Sequence, residues 1–174
     1  NNDKAYASLE KAARDPSYAM AAYLLLGKAH FEQQSYTPAG VYFMKALSLA
    51  DAAIVPVQQR EEILQAYTTV IETQAKQTDE KALKGFCETM CSQLLREDWR
   101  EALTKARQQL PEQDEGASPL PVSEMLVESH GGQAIEAMVS IKEMARHGKL
   151  RSAREEAYRA LTYSPTYLPL HVQI

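Results

Sequence analysis

The sequence lacks the features that most membrane and nucleic-acid-binding proteins require. Among its 174 residues, no apolar run approaches the ~20 residues that a membrane-spanning helix needs. No block of clustered Lys and Arg is present to contact phosphates, since the densest basic stretch, Lys142 to Arg159, also contains Glu143, Glu155 and Glu156. The net charge is −4. We therefore predict no binding to membranes and no direct binding to nucleic acid.

Cysteine is scarce, and the patterns of familiar catalytic sites are missing. The two cysteines, Cys87 and Cys91, lie one helical turn apart, which disfavours a disulfide between them, and no nearby residues complete a zinc site. The glycines form neither a phosphate-binding loop nor a dinucleotide fingerprint, and the four histidines lie far apart in the sequence. We therefore expect no cofactor, no metal and no enzyme activity, and a reducing, cytoplasmic setting.

Glycine and proline are few, and most of them lie between apolar stripes. The chain has 7 Gly and 8 Pro, and it lacks the alternating, β-branched runs that are typical of strands. Apolar residues make up 45% and charged residues 24%, which is ordinary for a globular protein. Together these features predict an all-α protein.

The clearest pattern lies in residues 22–51, where two apolar stripes follow each other. The first recurs at steps of three and four residues and comprises Tyr23, Leu26, Gly27 and His30. The second has the same period and comprises Ala39, Phe43, Ala46 and Leu47. Thr37-Pro38 predicts the start of the second helix. Because a glycine within a helix face indicates that another backbone comes close, we expect two helices packed tightly at Gly27 and Ala39.

These stripes resemble the tetratricopeptide repeat. Its pattern is an aromatic residue, two residues, Leu-Gly, two residues, an aromatic residue, then Ala-x3-Phe and a proline. His30 occupies the second aromatic place, and Asp51 stands where the pattern has proline. The second-helix spacing recurs at Ala153, Ala157 and Ala160. The resemblance implies a right-handed superhelical solenoid of α-α hairpins with about ten helices, irregular in the middle.

One linker divides the chain. Residues 111–121, PEQDEGASPLP, are acidic and rich in proline, and we expect them to run over the surface. A single repeat domain over 1–174 would then have N-terminal hairpins in 1–110 and C-terminal hairpins in 122–174. Because both ends resemble cuts through a repeat array, we expect the chain to be a fragment of a larger protein.

The pairing of the middle helices has two alternatives. Helix 57–75 pairs with helix 79–95, or helix 79–95 pairs with helix 98–110 and helix 57–75 is an extra element. The apolar stripes support both, because each of these helices has one buried face.

The resemblance also implies a binding surface, because the first helices of such hairpins line a concave groove for a peptide or a partner helix. The groove candidates share helical spacing and are Leu24, Lys28 and Phe31 in the first hairpin and Met138 and Lys142 in the last. Exposed apolar groups beside lysines suit a partner's apolar side chains and a carboxylate. We therefore predict a non-catalytic scaffold that binds a protein or peptide partner, with pairing of two copies through cut repeat ends as a further expectation. The alternative is a sensor or regulatory helical-repeat domain of a multidomain transcription or signalling protein.

Overall fold

Helices make up all the regular structure in the described part of the chain. The computed structural model describes residues 2–110, 119–123 and 131–161, and it contains no strand within these ranges. The α-helices are α1 (Asn2–Ala12), α2 (Ala19–Glu32), α3 (Tyr36–Ile54), α4 (Arg60–Ala75), α5 (Glu80–Leu94), α6 (Trp99–Gln109), α7 (Gly131–Arg146) and α8 (Leu150–Leu161). A short 3-10 helix, Val57–Gln59, lies between α3 and α4. The predicted all-α class is confirmed for these residues.

α2 and α3 form the expected hairpin, with one difference at the contact. Gly27 faces the ring of Phe43, and a Cβ added to Gly27 would lie 2.7 Å from the ring's Cδ1. The close neighbour is therefore a side chain, whereas the sequence predicted a backbone. α3 also begins earlier than expected, with Ser35 rather than Thr37 before its first residue. Pro38 remains in the first turn, where its missing N–H is not needed.

α3 is the central helix of the N-terminal part. α2, α4, α5 and α6 all pack on it, and its buried residues cover most of its circumference. They are Ala39, Gly40, Phe43, Met44, Ala46, Leu47, Ser48, Ala50, Asp51 and Ala52. Gly40 lies between α4 and α5, where an added Cβ would be 3.0 Å from Gln74 Nε2 and 3.3 Å from Phe86 Cε1. The remaining side, with Tyr42, Lys45, Leu49 and Ala53, is half-buried or exposed. The wide apolar face of α3 is explained by the four helices that pack on it.

Neither of the two predicted pairings of the middle helices occurs. α4 and α5, both fully described, pack on α3 rather than on each other, and α5 makes no extensive backbone contact with α6. Side chains of α5 and α6 both belong to the core around α3, among them Met90, Leu94, Trp99 and Leu103. Apart from Leu64, which is 37% exposed, the apolar stripes identify buried faces, but they do not encode which helix covers those faces.

α7 and α8 form a second hairpin with its own apolar cluster. The cluster includes Met138 and Ile141 from α7 and the alanine stripe of α8, comprising Ala153, Ala157 and Ala160. Gly148 ends the first helix, as predicted, with a φ of +74°. The sequence predicts a short helix over 122–129 that ends at Gly131 and Gly132, but these glycines begin α7. Residues 124–129 of that helix, and a further helix that Ser164-Pro165 predicts, lie outside the described residues.

The end of the predicted surface linker is buried. Pro119, Leu120 and Pro121 are all shielded from solvent, so the expectation of a surface path is wrong for these residues. Leu120 packs in the α7–α8 cluster, whereas Val122 packs in the core around α3. Residues 111–118 lie outside the described residues. A five-residue segment therefore has side chains in both apolar clusters.

Candidate functional site

The three groove candidates on α2 are only partly available at the surface. Leu24 and Phe31 are half-buried and pack against the core around α3, and the ring of Phe31 lies 6.0 Å from that of Tyr36. Lys28 is exposed, with its Nζ 3.8 Å from Glu32 Oε1. Leu24 and Phe31 therefore lie at the edge of the core around α3, and Lys28 is exposed next to them.

The two groove candidates on α7 lie in a different apolar cluster. Met138 is 2% exposed and packs against the alanines of α8, so the expectation that its side chain is exposed is wrong. Small alanines let α7 approach closely, and the long side chain of Met138 fills the space between the helices. Lys142 is half-buried and has an interaction of its own. The structure does not bring Met138 into the cluster of Leu24 and Phe31.

A line of exposed side chains runs along α2 beside the predicted groove and shares Lys28 with it. Tyr18 is 62% exposed and Leu25 is 51% exposed, and both lie on one line with other exposed residues at steps of three and four. We call this line the α2 strip; it comprises Tyr18, Ala21, Leu25, Lys28 and Glu32. The sequence analysis did not identify this line because three leucines follow each other at 24–26. The apolar pattern predicts that Leu26 is buried, but it does not predict which of Leu24 and Leu25 is more exposed.

The α2 strip borders a cleft between α1 and α2. The cleft has a volume of about 250 Å³ and is lined by Ala5, Tyr6, Leu9, Ala29, Glu32 and Gln33. Its walls are apolar and its polar groups come from the end of α2, where Glu32 belongs to both the cleft and the strip. An apolar recess with a few polar groups is typical of a binding site, although this one is small.

Four aromatic rings connect α1, α2 and α3 beside the cleft, which Tyr6 also lines. The rings of Tyr6 and His30 are tilted by 47°, whereas the other two pairs are stacked. The ring centroids of Tyr6 and His30 are 4.8 Å apart, those of His30 and Tyr42 are 5.4 Å apart, and those of Tyr42 and Tyr23 are 6.0 Å apart. Lys45 Nζ lies 5.5 Å from the centroid of Tyr42, within cation–π range. The hydroxyl of Tyr6 is buried and has no hydrogen-bond partner in the described part of the chain, which is costly for a polar group.

Burial controls the titration of the groups around this stack. Loss of water lowers the pKa of His30, and the nearby Glu10 carboxylate acts against that shift. Burial also raises the pKa of Tyr42, with further contributions from Glu10 and Tyr23. The neutral imidazole of His30 is therefore favoured at physiological pH, and its ring stacks on Tyr42 and lies tilted against Tyr6.

The two thiols are inert at neutral pH. Burial raises the pKa of Cys87 to about 12 and that of Cys91 to about 11. The Sγ of Cys87 donates a hydrogen bond to the carbonyl oxygen of Tyr36 at 3.3 Å. Since the thiolate is the reactive form of cysteine, both residues act as small packing groups between α5 and its neighbours.

Asp51 is a buried acid whose structural role the sequence analysis did not predict. Its carboxylate accepts hydrogen bonds from the Tyr67 hydroxyl at 2.7 Å and from Arg107 Nε at 2.9 Å. A further contact of 3.3 Å comes from the backbone N–H of Val122. Burial, and then the Asp51 carboxylate, raise the pKa of Tyr67 well above its ordinary value. Asp51 thus ties together α3, α4, α6 and the segment 119–123. The sequence did contain a signal for this role, since Asp51 lies in an otherwise apolar helix end. An acid that is buried there needs polar partners.

No family model, no curated protein and no solved structure matches this chain. The tetratricopeptide resemblance therefore stays a prediction. Within the ranges that the structure describes, no group of three or more His, Cys, Asp or Glu could hold a metal ion. No helix in the same ranges is long and apolar enough to cross a membrane.

Proposed function

We propose that this protein is a non-catalytic interaction module of tetratricopeptide-like helical hairpins, which binds a partner peptide or helix along the α2 strip. The observation that supports this is the pair of large apolar side chains, Tyr18 and Leu25, exposed on one line beside an apolar cleft. Exposed apolar surface that is contiguous and bordered by polar groups is a mark of interaction sites. We place the protein in the reducing cytoplasm, which its two free cysteines, Cys87 and Cys91, fit.

The strip also indicates the chemistry of the partner. Burying an exposed leucine side chain contributes about 1.5–3 kcal/mol, whereas an exposed ion pair such as Lys28–Glu32 contributes little. Affinity would therefore come from apolar contacts, with the ion pair setting the orientation. A partner helix with apolar residues at three- and four-residue steps matches the spacing of Tyr18, Ala21 and Leu25.

The test is a selection of peptides on the immobilised protein, followed by fluorescence anisotropy. Helical peptides selected on the wild-type chain should bind Leu25→Glu at least about tenfold more weakly, because a charge would enter the apolar contact. The matched control is Leu150→Glu, which makes the same substitution at a side chain of α8 that is 68% exposed. Equal loss with both variants, or no loss with Leu25→Glu, would contradict the proposal.

A sensor or regulatory domain is the second proposal, supported by the cleft itself. A recess of about 250 Å³ is large enough for a small molecule, and Glu32 and Gln33 offer it polar contacts. A thermal-shift screen of small molecules tests this proposal. A compound that stabilises the wild-type chain but not Ala29→Leu, which would fill the cleft, would favour sensing over peptide binding. A compound that stabilises both equally would bind elsewhere and leave the cleft without a ligand.

A further inference from the structure

We propose that residues 119–123, Pro-Leu-Pro-Val-Ser, occupy a peptide-binding groove of this protein as an internal ligand. The groove lies where the core around α3 meets the α7–α8 cluster, and it shares no residue with the α2 strip. The partner that fits it is a peptide in which proline and apolar residues alternate. Such a partner binds by displacing the internal segment.

The segment is buried along its whole length although most of it has no regular structure. Residues 119–122 form neither helix nor strand, and all five residues are shielded from solvent. Leu120 is 6% exposed and Val122 is 0% exposed. Connecting segments normally run over the surface, because buried backbone groups need hydrogen-bond partners. This segment is instead enclosed by its surroundings, as a bound peptide is.

The composition of the segment is that of a peptide ligand. Pro119 and Pro121 restrict the free chain, so less conformational entropy is lost when the segment docks. Prolines also have no N–H, which reduces the number of backbone donors that must be satisfied on burial. Proline-rich peptides bind grooves for these reasons. The segment therefore defines the partner, which has a proline before each of the apolar residues that replace Leu120 and Val122.

The polar anchor of the groove stays paired when the segment leaves. The N–H of Val122 donates to Asp51 Oδ2 at 3.3 Å. The same oxygen accepts from the Tyr67 hydroxyl at 2.7 Å, and Oδ1 accepts from Arg107 Nε at 2.9 Å. Both carboxylate oxygens thus retain a donor from a helix without the segment. The anchor is therefore preformed by α3, α4 and α6, as is usual for binding sites.

The packing of the helices does not depend on the segment's backbone. α7 and α8 pack extensively on each other, and neither makes an extensive backbone contact with α1 to α6 within the described residues. Leu110 packs at the edge of both clusters and remains there. Displacement thus removes the contacts of one short segment, and an incoming peptide of the same pattern restores them.

Fluorescence anisotropy tests the proposal on the whole chain, with a labelled peptide that has the sequence of residues 117–125. The receptor is the double variant Leu120→Ser, Val122→Ser, which keeps both prolines and the backbone donors but removes the apolar contacts of the internal segment. It should bind the peptide at least about tenfold more tightly than the wild-type chain, in which the segment competes at a high effective concentration. Circular dichroism verifies that the helices of the double variant are retained.

Control peptides and a control variant test the recognition itself. A peptide with serine in the places of Leu120 and Val122 should not bind, because it has no large apolar side chains to bury. A peptide with an ester in place of the Val122 amide lacks the N–H that contacts Asp51, and it should bind about threefold or more weakly. Leu25→Glu, added to the double variant, should leave binding unchanged.

A second measurement uses the wild-type chain and does not require the double variant to fold. At millimolar concentrations of the unlabelled peptide, the internal segment should be displaced from the groove. Hydrogen exchange at the amides of Val122 and Ser123 should then become faster, while exchange in α3 does not.

Four outcomes would overturn the proposal. Absence of peptide binding to the folded double variant would mean that the groove exists only around its own segment. Equal binding to the wild-type chain and the double variant would place the peptide elsewhere. Loss of binding with Leu25→Glu would place it on the α2 strip. Unchanged exchange at Val122 in the wild-type chain at millimolar peptide would mean that the segment is a fixed part of the core. Failure of selected helical peptides to bind the α2 strip would count against the proposed function alone.

Discussion

At the scale of single residues, Asp51 places a carboxylate among the buried apolar residues of α3. It is fully buried, and its partners Tyr67 and Arg107 come from two other helices. Asp51→Ala would leave the guanidinium of Arg107, which is mostly buried, without its carboxylate. We expect a loss of about 3–5 kcal/mol in the free energy of unfolding, measured by urea denaturation.

The matched control for that substitution is Asp98→Ala. Asp98 forms an ion pair with Arg96 at the protein surface, and such pairs add little stability. A small effect of Asp51→Ala, comparable to that of Asp98→Ala, would mean that the buried cluster is not required for the fold.

Gly27 and Gly85 allow a paired test of close packing. A Cβ at Gly27 would meet the Phe43 ring at 2.7 and 2.8 Å, whereas a Cβ at Gly85 in α5 would meet nothing within 4 Å. Gly27→Ala should therefore destabilise the protein by about 1–3 kcal/mol through overpacking. Gly85→Ala should stabilise it by about 0.5–1 kcal/mol through helix propensity. Chemical denaturation measures both, and the same sign for both would contradict the assigned contact.

At the scale of helices, the sequence was most informative where a stripe identifies the buried face of one element. The stripes of α2, α3 and α8 predicted Leu26, Phe43 and Ala157 as buried, and all three are. It was less informative about neighbours, since α4 and α5 each have a stripe that fits many partners and both cover α3. The predicted exposure of Met138 is wrong for the same reason. Its side chain is covered by α8, and the sequence did not show that the small residues of α8 would pack against it.

α1 carries a buried hydroxyl, that of Tyr6, which has no hydrogen-bond partner within the described residues. Tyr6→Phe removes this hydroxyl and keeps the ring against His30. We expect the variant to dock α1 more firmly by about 1–3 kcal/mol. Hydrogen exchange of α1 at pH 7.5 would show this as increased protection. Lower protection would mean that the hydroxyl has a partner and holds the helix in place.

At the scale of the whole molecule, segment 119–123 joins two apolar clusters. Leu120 belongs to the α7–α8 cluster, and Val122 belongs to the core around α3, where its N–H also contacts Asp51. In a regular strand, the side chains of residues two apart point to the same side. A regular strand would therefore not place Leu120 and Val122 in two different clusters. The sequence could not predict this path, since the proline-rich composition of the linker is that of a surface loop.

Leu120→Ala tests whether this segment couples the two clusters. It removes a buried side chain from the α7–α8 cluster and leaves the contact between Val122 and Asp51 in place. We expect α7 and α8 to lose about 2–5 kcal/mol of protection in hydrogen exchange while α3 retains its own. The control is Leu150→Ala in α8, the same change at a side chain that is 68% exposed. If Leu120→Ala lowers protection equally in α3 and α8, the clusters unfold as one cooperative unit and the segment is part of a single core.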